Sequence, residues 1–332
     1  MKKTIFVLTV LIINFMLLQM VSAATPISSC TTINSQGTYY LTADIINSGN
    51  TICLDITANN VVLDCRGHTI DGILTQNTYG IQVKRSSSTN TNVIIKNCVS
   101  TNWDYGIYLK YANNNVITDN TANSNRKGGI YLHLAENNTI KNNIANENNY
   151  LGGILLHDAD TNIIENNNAN SNEFQGIYMY YSNNNTINHN TIKDNKKIGL
   201  YISYSDKNTI MGNTINSNNL AGITTSNAYN NLIYNNRLNN TNNAVDICNN
   251  FWNTTNSTGP NIVGGLYIGG NYFSDYNGAD SDGDGFGDTP HNLPVGNNKD
   301  LLPLTAIPEV PTIFLSMGLM FLSLLKMKRK IK

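Results

Sequence analysis

The chain of 332 residues carries 21 basic and 22 acidic residues, a formal charge of −1, and only 13% of it is charged. Asparagine occurs 60 times, and Ile, Leu and Val recur throughout. This excludes a disordered polyelectrolyte and does not fit a helical or doubly wound enzyme. A neutral, Asn-rich and regularly apolar chain points to a repeat protein.

Lys2 and Lys3, the apolar run from Ile5 to Val21 and the small residues Ser22, Ala23 and Ala24 read as a secretory signal over residues 1–24. Residues 25–50 are expected to cap the open end of the repeats that follow. Between the two ends of the chain, 14 basic residues face 21 acidic ones, a balance of −7. That charge leaves no basic footprint, so nucleic acid is not an expected partner. Cys30, Cys53, Cys65 and Cys98 lie in the first third and Cys248 stands apart. In an exported protein the first four are disulfide candidates, Cys65 and Cys98 falling one offset apart on neighbouring rungs. The odd count leaves one thiol free, and no C-x-x-C spacing suggests zinc.

The repeats occupy residues 51–250. Gly106-Ile107-Tyr108-Leu109 recurs at Gly129, Gly153, Gly176, Gly199 and Gly222, with spacings of 23, 24, 23, 23 and 23. Each copy then carries an Asn (Asn115, Asn138, Asn162, Asn185, Asn208, Asn231), an Ile two residues on, and a second Asn (Asn120, Asn143, Asn167, Asn190, Asn213, Asn236). Short alternating apolar stretches between Asn-rich turns are strand signatures. One such coil cannot bury its own inward side chains, whereas stacked coils can, at about 4.8 Å per rung. The expectation is an all-β, right-handed parallel β-helix of about nine coils, its Asn residues serving the turns and bonding one another along the axis. Gly80-Ile81-Gln82-Val83 is an earlier copy, with Ser86–Thr91 as an insertion.

The stretch from Cys30 through Gly37-Thr38-Tyr39-Tyr40-Leu41, then Val61-Val62-Leu63-Asp64 and Gly67-His68-Thr69-Ile70, resembles NosD-type β-helix proteins of the pectin-lyase-like superfamily. So do the coils themselves and Gly270-Asn271-Tyr272-Phe273-Ser274-Asp275-Tyr276. The resemblance covers nearly all of 25–306 and implies the fold. It leaves the chemistry open, because such coils serve lyases, hydrolases, epimerases and inert surface proteins alike.

Strand neighbours point to opposite faces. With Ile107 and Leu109 inward, Tyr108, Tyr131, Leu155, Tyr178 and Tyr201 form an outer stripe, and Lys110, His133, His157, Tyr180 and Ser203 run beside it. Tyrosines at rung spacing would offer flat apolar faces and hydroxyls to sugar rings, so the expected partner is a cell-envelope glycan, or else a surface protein. The plain alternative is a solvated face whose tyrosines favour β structure. A glycoside hydrolase needs two acids within about 5–10 Å. Asp158 beside His157 is the only acid of interest there, so a non-catalytic binding role is preferred to a polysaccharide lyase or hydrolase. The resemblance also implies copper, for which His133 and His157 would be the ligands. With five His and no His-x-His or Met-rich cluster, copper is not expected.

Residues 251–306 form a closing segment. There Asp280, Asp282, Asp284 and Asp288 stand at loop positions 1, 3, 5 and 9, with Gly285 at 6 and the Phe286 carbonyl at 7. This spacing suits a calcium ion and resembles thrombospondin-type and dockerin loops. The usual Glu at position 12 is replaced by His291, so Asp275 or Asp300 is weighed as a further ligand. Sequons at Asn137, Asn184, Asn239, Asn253 and Asn256 arise readily in a chain this rich in Asn and Thr.

Over residues 307–332, an apolar run of about 27 Å as a helix is followed by Lys326, Lys328, Arg329, Lys330 and Lys332. A membrane anchor with the body outside is expected. Pro308-Glu309-Val310-Pro311-Thr312 resembles the PEF-type tails of archaeal surface proteins, with Val310 in place of the usual Phe. That resemblance implies processing by an archaeosortase and exchange for another anchor. Either route leaves the protein on the outer cell surface.

Overall fold

The computed structural model describes residues 23–306. The tail at 307–332 and all but the last two residues of the signal segment lie outside the described residues. Among the described residues there is no helix. Two ten-stranded parallel sheets run side by side along the chain, and shorter strands and bridges make up a third side. Each turn contributes one short strand to each side, so the chain is a parallel β-helix.

The register follows the repeat. Ile107 pairs in turn with Ile130, Ile154, Ile177, Leu200 and Ile223, and Gly80–Val83 joins one rung earlier through Ile81. All six of the stacked side chains from Ile107 to Ile223 are fully buried, as are Ile117, Ile140, Ile164, Ile187, Ile210 and Ile233 on the second sheet. The insertion lies between Lys84 and Thr89, opposite Tyr111, rather than over Ser86–Thr91: Thr89 and Asn90 are already back in register with Ala112 and Asn113. The sheets already begin at Thr25–Ile27 and Thr31–Ile33, which pair with Gly37–Leu41 and Ile52–Ile56. Residues 25–50 thus hold the first rung, built from strands of 3 residues, too short to show alternation, and begin the second at Gly37–Leu41. Disulfides join Cys30 to Cys53 and Cys65 to Cys98 across neighbouring rungs, and Cys248 is free and buried.

Each corner of the helix is held by a column of buried asparagines. In the first, Asn115 Nδ2 donates to Asn138 Oδ1 at 2.9 Å, and the column continues through Asn162, Asn185, Asn208, Asn231 and Asn250; at Asn162 the backbone N–H donates to Asn185 Oδ1, while Nδ2 donates to Ala135 O and Asp160 O. The second runs from Asn120 through Asn143, Asn167, Asn190, Asn213 and Asn236 to Asn271. The third, at Asn125, Asn148, Asn172, Asn195, Asn218 and Asn240, was not singled out in the sequence. Because the columns donate toward the C-terminus, each ends needing a pure acceptor, and each meets a carboxylate. Asn250 donates to Asp246 and Asn271 to Asp300; in the third column Asn240 N donates to Asn243 Oδ1, and Asn243 Nδ2 donates to Asp275. Burial pushes the Asp300 carboxyl up to about 7, opposed by the N–H groups of Asn271 and Leu302.

The tyrosine and histidine face and the aspartate loop

The outer side of the Gly106-type strands carries three parallel columns. The first holds Tyr108, Tyr131, Leu155, Tyr178 and Tyr201, and the second Lys110, His133, His157, Tyr180 and Ser203, as the register requires. The third comprises Tyr111, Leu134, Asp158, Tyr181 and Tyr204, all left-handed with φ between 48° and 53°. Elsewhere in the helix this conformation falls mostly to Asn, Asp and Ser. A bulky residue held there costs about 1–2 kcal/mol.

The rings form one continuous band. Tyr79, Tyr108, Tyr131, His133, His157, Tyr180, Tyr181 and Tyr204 follow one another with centroids 4.9, 5.2, 5.6, 4.9, 5.1, 4.4 and 4.9 Å apart. Tyr105 lies against Tyr79, Tyr108 and Tyr131, and Tyr178 stacks on Tyr201 at 7°. The rings stack along the axis, so at the N-terminal end they cover one another's faces; Tyr108 is only 6% exposed. Open ring faces lie instead in the third column, where Tyr181 and Tyr204 are each 44% exposed. Burial raises the phenol pKa of Tyr105, Tyr108 and Tyr131 and pushes Tyr178 up to about 12, so these hydroxyls stay neutral.

The middle of the band is polar. The Tyr108 hydroxyl meets His133 Nδ1 at 3.3 Å and the Tyr131 hydroxyl meets His157 Nδ1 at 3.0 Å. His157 Nε2 lies 3.3 Å from Asp158 Oδ2. Burial, then the charges of His157 and Lys110, lower the pKa of His133. Lys110 stands two rungs from His157, with its ammonium 5.4 Å from the Tyr111 ring. Among these fifteen positions Asp158 is the one carboxylate. The strand alternation does not point to Tyr79, Tyr105, Tyr181 or Tyr204. The first two precede the repeated Gly, and the last two follow the strand, outside the simple alternation.

In the closing segment, one oxygen from each of Asp280, Asp282 and Asp284 lies within 4.8 Å of the others. Left-handed Gly283 and Gly285 make the turn, and Gly283 N and Gly285 N donate to Asp280. Asp288 accepts instead from the Ser281 hydroxyl at 2.6 Å, and the Phe286 side chain is buried. Asp275 and Asp300 are engaged as column ends, and the His291 ring packs on Phe273 at 4.1 Å. A pocket of about 650 Å³ adjoins the loop, lined by Leu266, Tyr267, Tyr272, Tyr276, Asp280 and Asp284 among others.

A family profile described as periplasmic copper-binding protein (NosD) matches residues 19–152 and again 128–278. The chain belongs to the NosD family. Comparison with curated proteins gives no match. Among solved structures, the periplasmic alginate epimerase AlgG (a double mutant) is 18% identical with a TM-score of 0.51, over 68% of this chain and 64% of that one. The enzymatically active domain of tailspike protein 2 from bacteriophage CBA120 is 15% identical with a TM-score of 0.53, over 68% of this chain and 42% of that one. This NosD-family chain therefore spans less than two thirds of either structure, and at these identities the likeness is one of fold.

Proposed function

We propose that this NosD-family protein is exported, held at the cell surface, and binds a cell-envelope glycan along the tyrosine and histidine face without transforming it. The observation that carries this reading is the continuous band of rings, whose exposed end at Tyr180, Tyr181 and Tyr204 adjoins the polar centre at His133, His157 and Asp158. Exposed rings stack on sugar faces, and hydroxyl, imidazole and carboxylate edges fix orientation. A parallel β-helix named as an alginate epimerase supports a carbohydrate ligand. The second reading, a polysaccharide lyase or hydrolase, draws on the 3.3 Å contact between His157 and Asp158.

A panel of acidic and neutral polysaccharides, scored for both retention and product release, separates the two. Retention without product is expected, weakened at least tenfold in Tyr181→Ala/Tyr204→Ala. Product release that disappears in His157→Gln or Asp158→Asn would establish the enzyme instead.

The loop Asp280–Asp288 is proposed to bind calcium, with Asp280, Asp282, Asp284 and the Phe286 carbonyl as ligands and Asp288 turning in from Ser281. An ion at a hundredfold excess over its Kd adds about 2.7 kcal/mol, and in a solenoid that gain stays local. Protease nicking within 260–305 should slow with calcium and speed up with chelator in the parent. Asp282→Ala/Asp284→Ala should be nicked quickly in both. Equal cleavage in all four conditions would make the loop an acidic linker only.

A further inference from the structure

We propose that Tyr181 and Tyr204 form an oxidative cross-linking site, where a peroxide-driven one-electron oxidant joins the two phenols into a dityrosine. The two residues hold the same place on neighbouring rungs, each following the paired strand ends Tyr180 and Ser203. Their rings stack with centroids 4.9 Å apart and planes 29° from parallel. The backbone beneath them is fixed, because Tyr181 N donates to Ser203 O and Tyr204 N to Ser226 O. Both are held left-handed, at φ 48° and 49°, and the Tyr180 ring stands edge-on to both, at 4.4 and 5.9 Å. Each of the two rings is 44% exposed, which leaves it room to turn its edge toward the other. The stacked rings of Tyr105 and Tyr108 are buried and lack that room.

Exposure and pairing together single these two out. Tyr150, Tyr229 and Tyr267 are also exposed, yet among the described residues none of them stacks on a second tyrosine. Indole and thiol are the groups that would intercept the oxidant first. Trp103, Trp252 and Cys248 are all buried, and the other four cysteines are in disulfides. A partner held at rung spacing also outpaces a second protein molecule in dilute solution, since positioning replaces collision. In the reaction each phenol loses one electron and its hydroxyl proton. The two phenoxyl radicals join through one new C–C bond between ring carbons ortho to oxygen. The hydrogens on those carbons then move to the oxygens and restore both phenols. Two electrons and two protons in all pass to one hydrogen peroxide, whose O–O bond breaks to give two waters.

The new bond swings both rings out of their present stack, so it should also switch off retention of a polysaccharide. Only that consequence rests on the glycan reading; the cross-linking site stands on the geometry of the pair. For the test, the full chain is treated with hydrogen peroxide and a haem peroxidase, and the monomer is isolated for dityrosine fluorescence and peptide masses. A peptide pair linked through Tyr181 and Tyr204, two hydrogens lighter than its parts, is expected. Tyr181→Phe and Tyr204→Phe should each lower the fluorescence of the monomer at least tenfold, with thermal melts like the parent. Tyr150→Phe should leave it unchanged. Retention of the best polysaccharide should fall at least tenfold in the cross-linked monomer. A cross-linked monomer retained like the parent would support the site and contradict the glycan reading. A monomer without dityrosine, or one whose dityrosine survives both phenylalanine variants, would overturn the inference.

Discussion

Asn167→Ala is expected to destabilise the protein by about 3–5 kcal/mol, because one amide serves four partners in a dry corner. Asn167 Oδ1 accepts from Asn143 N at 2.9 Å and Asn143 Nδ2 at 3.0 Å, while Asn167 Nδ2 donates to Ile140 O at 2.8 Å and Asn190 Oδ1 at 3.0 Å. Truncation strands buried backbone groups at about 1–3 kcal/mol each and leaves a void. Asn167→Asp should be worse despite its shape, since its second oxygen would confront two acceptors and its charge would be buried. Asn149, which is exposed, is the control, and its alanine variant should stay within about 0.5 kcal/mol of the parent. Urea unfolding gives the sizes. Amide exchange should show the loss concentrated in the rungs around 143–190, because each rung leans only on its neighbours. Equal midpoints for Asn167→Ala and Asn149→Ala would mean that the columns are passive.

The second large effect is expected from Gly153→Ala. A Cβ there would lie 2.5 Å from Ala145 O, 2.8 Å from Gly176 O and 3.0 Å from Asn172 Nδ2. Two of the three are backbone atoms of packed rungs and cannot swing away. Overpacking usually costs about 1–3 kcal/mol, and with the Asn172 column disturbed as well the loss should reach about 3 kcal/mol. Gly49 meets nothing nearer than Ile73 Cδ1 at 3.9 Å. Gly49→Ala should be neutral, or stabilise by up to about 1 kcal/mol through the unfolded chain. If the two variants unfold alike, the repeated glycine is not a packing requirement.

These two residue types account for how much of the fold was legible. The spacing of Gly106, Gly129 and Gly153 gave the register directly, because a side-chain period of two with a 23–24-residue return leaves one stacking. The columns at Asn115 and Asn120 followed from the same arithmetic. The third, at Asn125, is equally periodic but lies outside the apolar stretches that mark the strands. The acceptor ends at Asp246, Asp275 and Asp300 were not legible, since they depend on how the irregular closing segment folds back.

The site was read less completely. Alternation put Tyr108, His133 and His157 on one face but said nothing of ring orientation, and stacking along the axis hides faces that the pattern left open. Tyr181, Tyr204 and Asp158 come from a left-handed turn position that obeys neither strand nor helix periodicity. Counting histidines could not show that two of them are braced by tyrosines of the preceding rung.

The claim that this face is the working surface is tested most directly by a crystal structure with an oligosaccharide from the polysaccharide that the protein retains best. Sugar is expected across the rungs between Tyr131 and Tyr204, stacked on Tyr181 or Tyr204 and hydrogen-bonded near His157 and Asp158. Sugar bound instead in the pocket beside Asp280 and Asp284, with the tyrosine and histidine face bare, would contradict it.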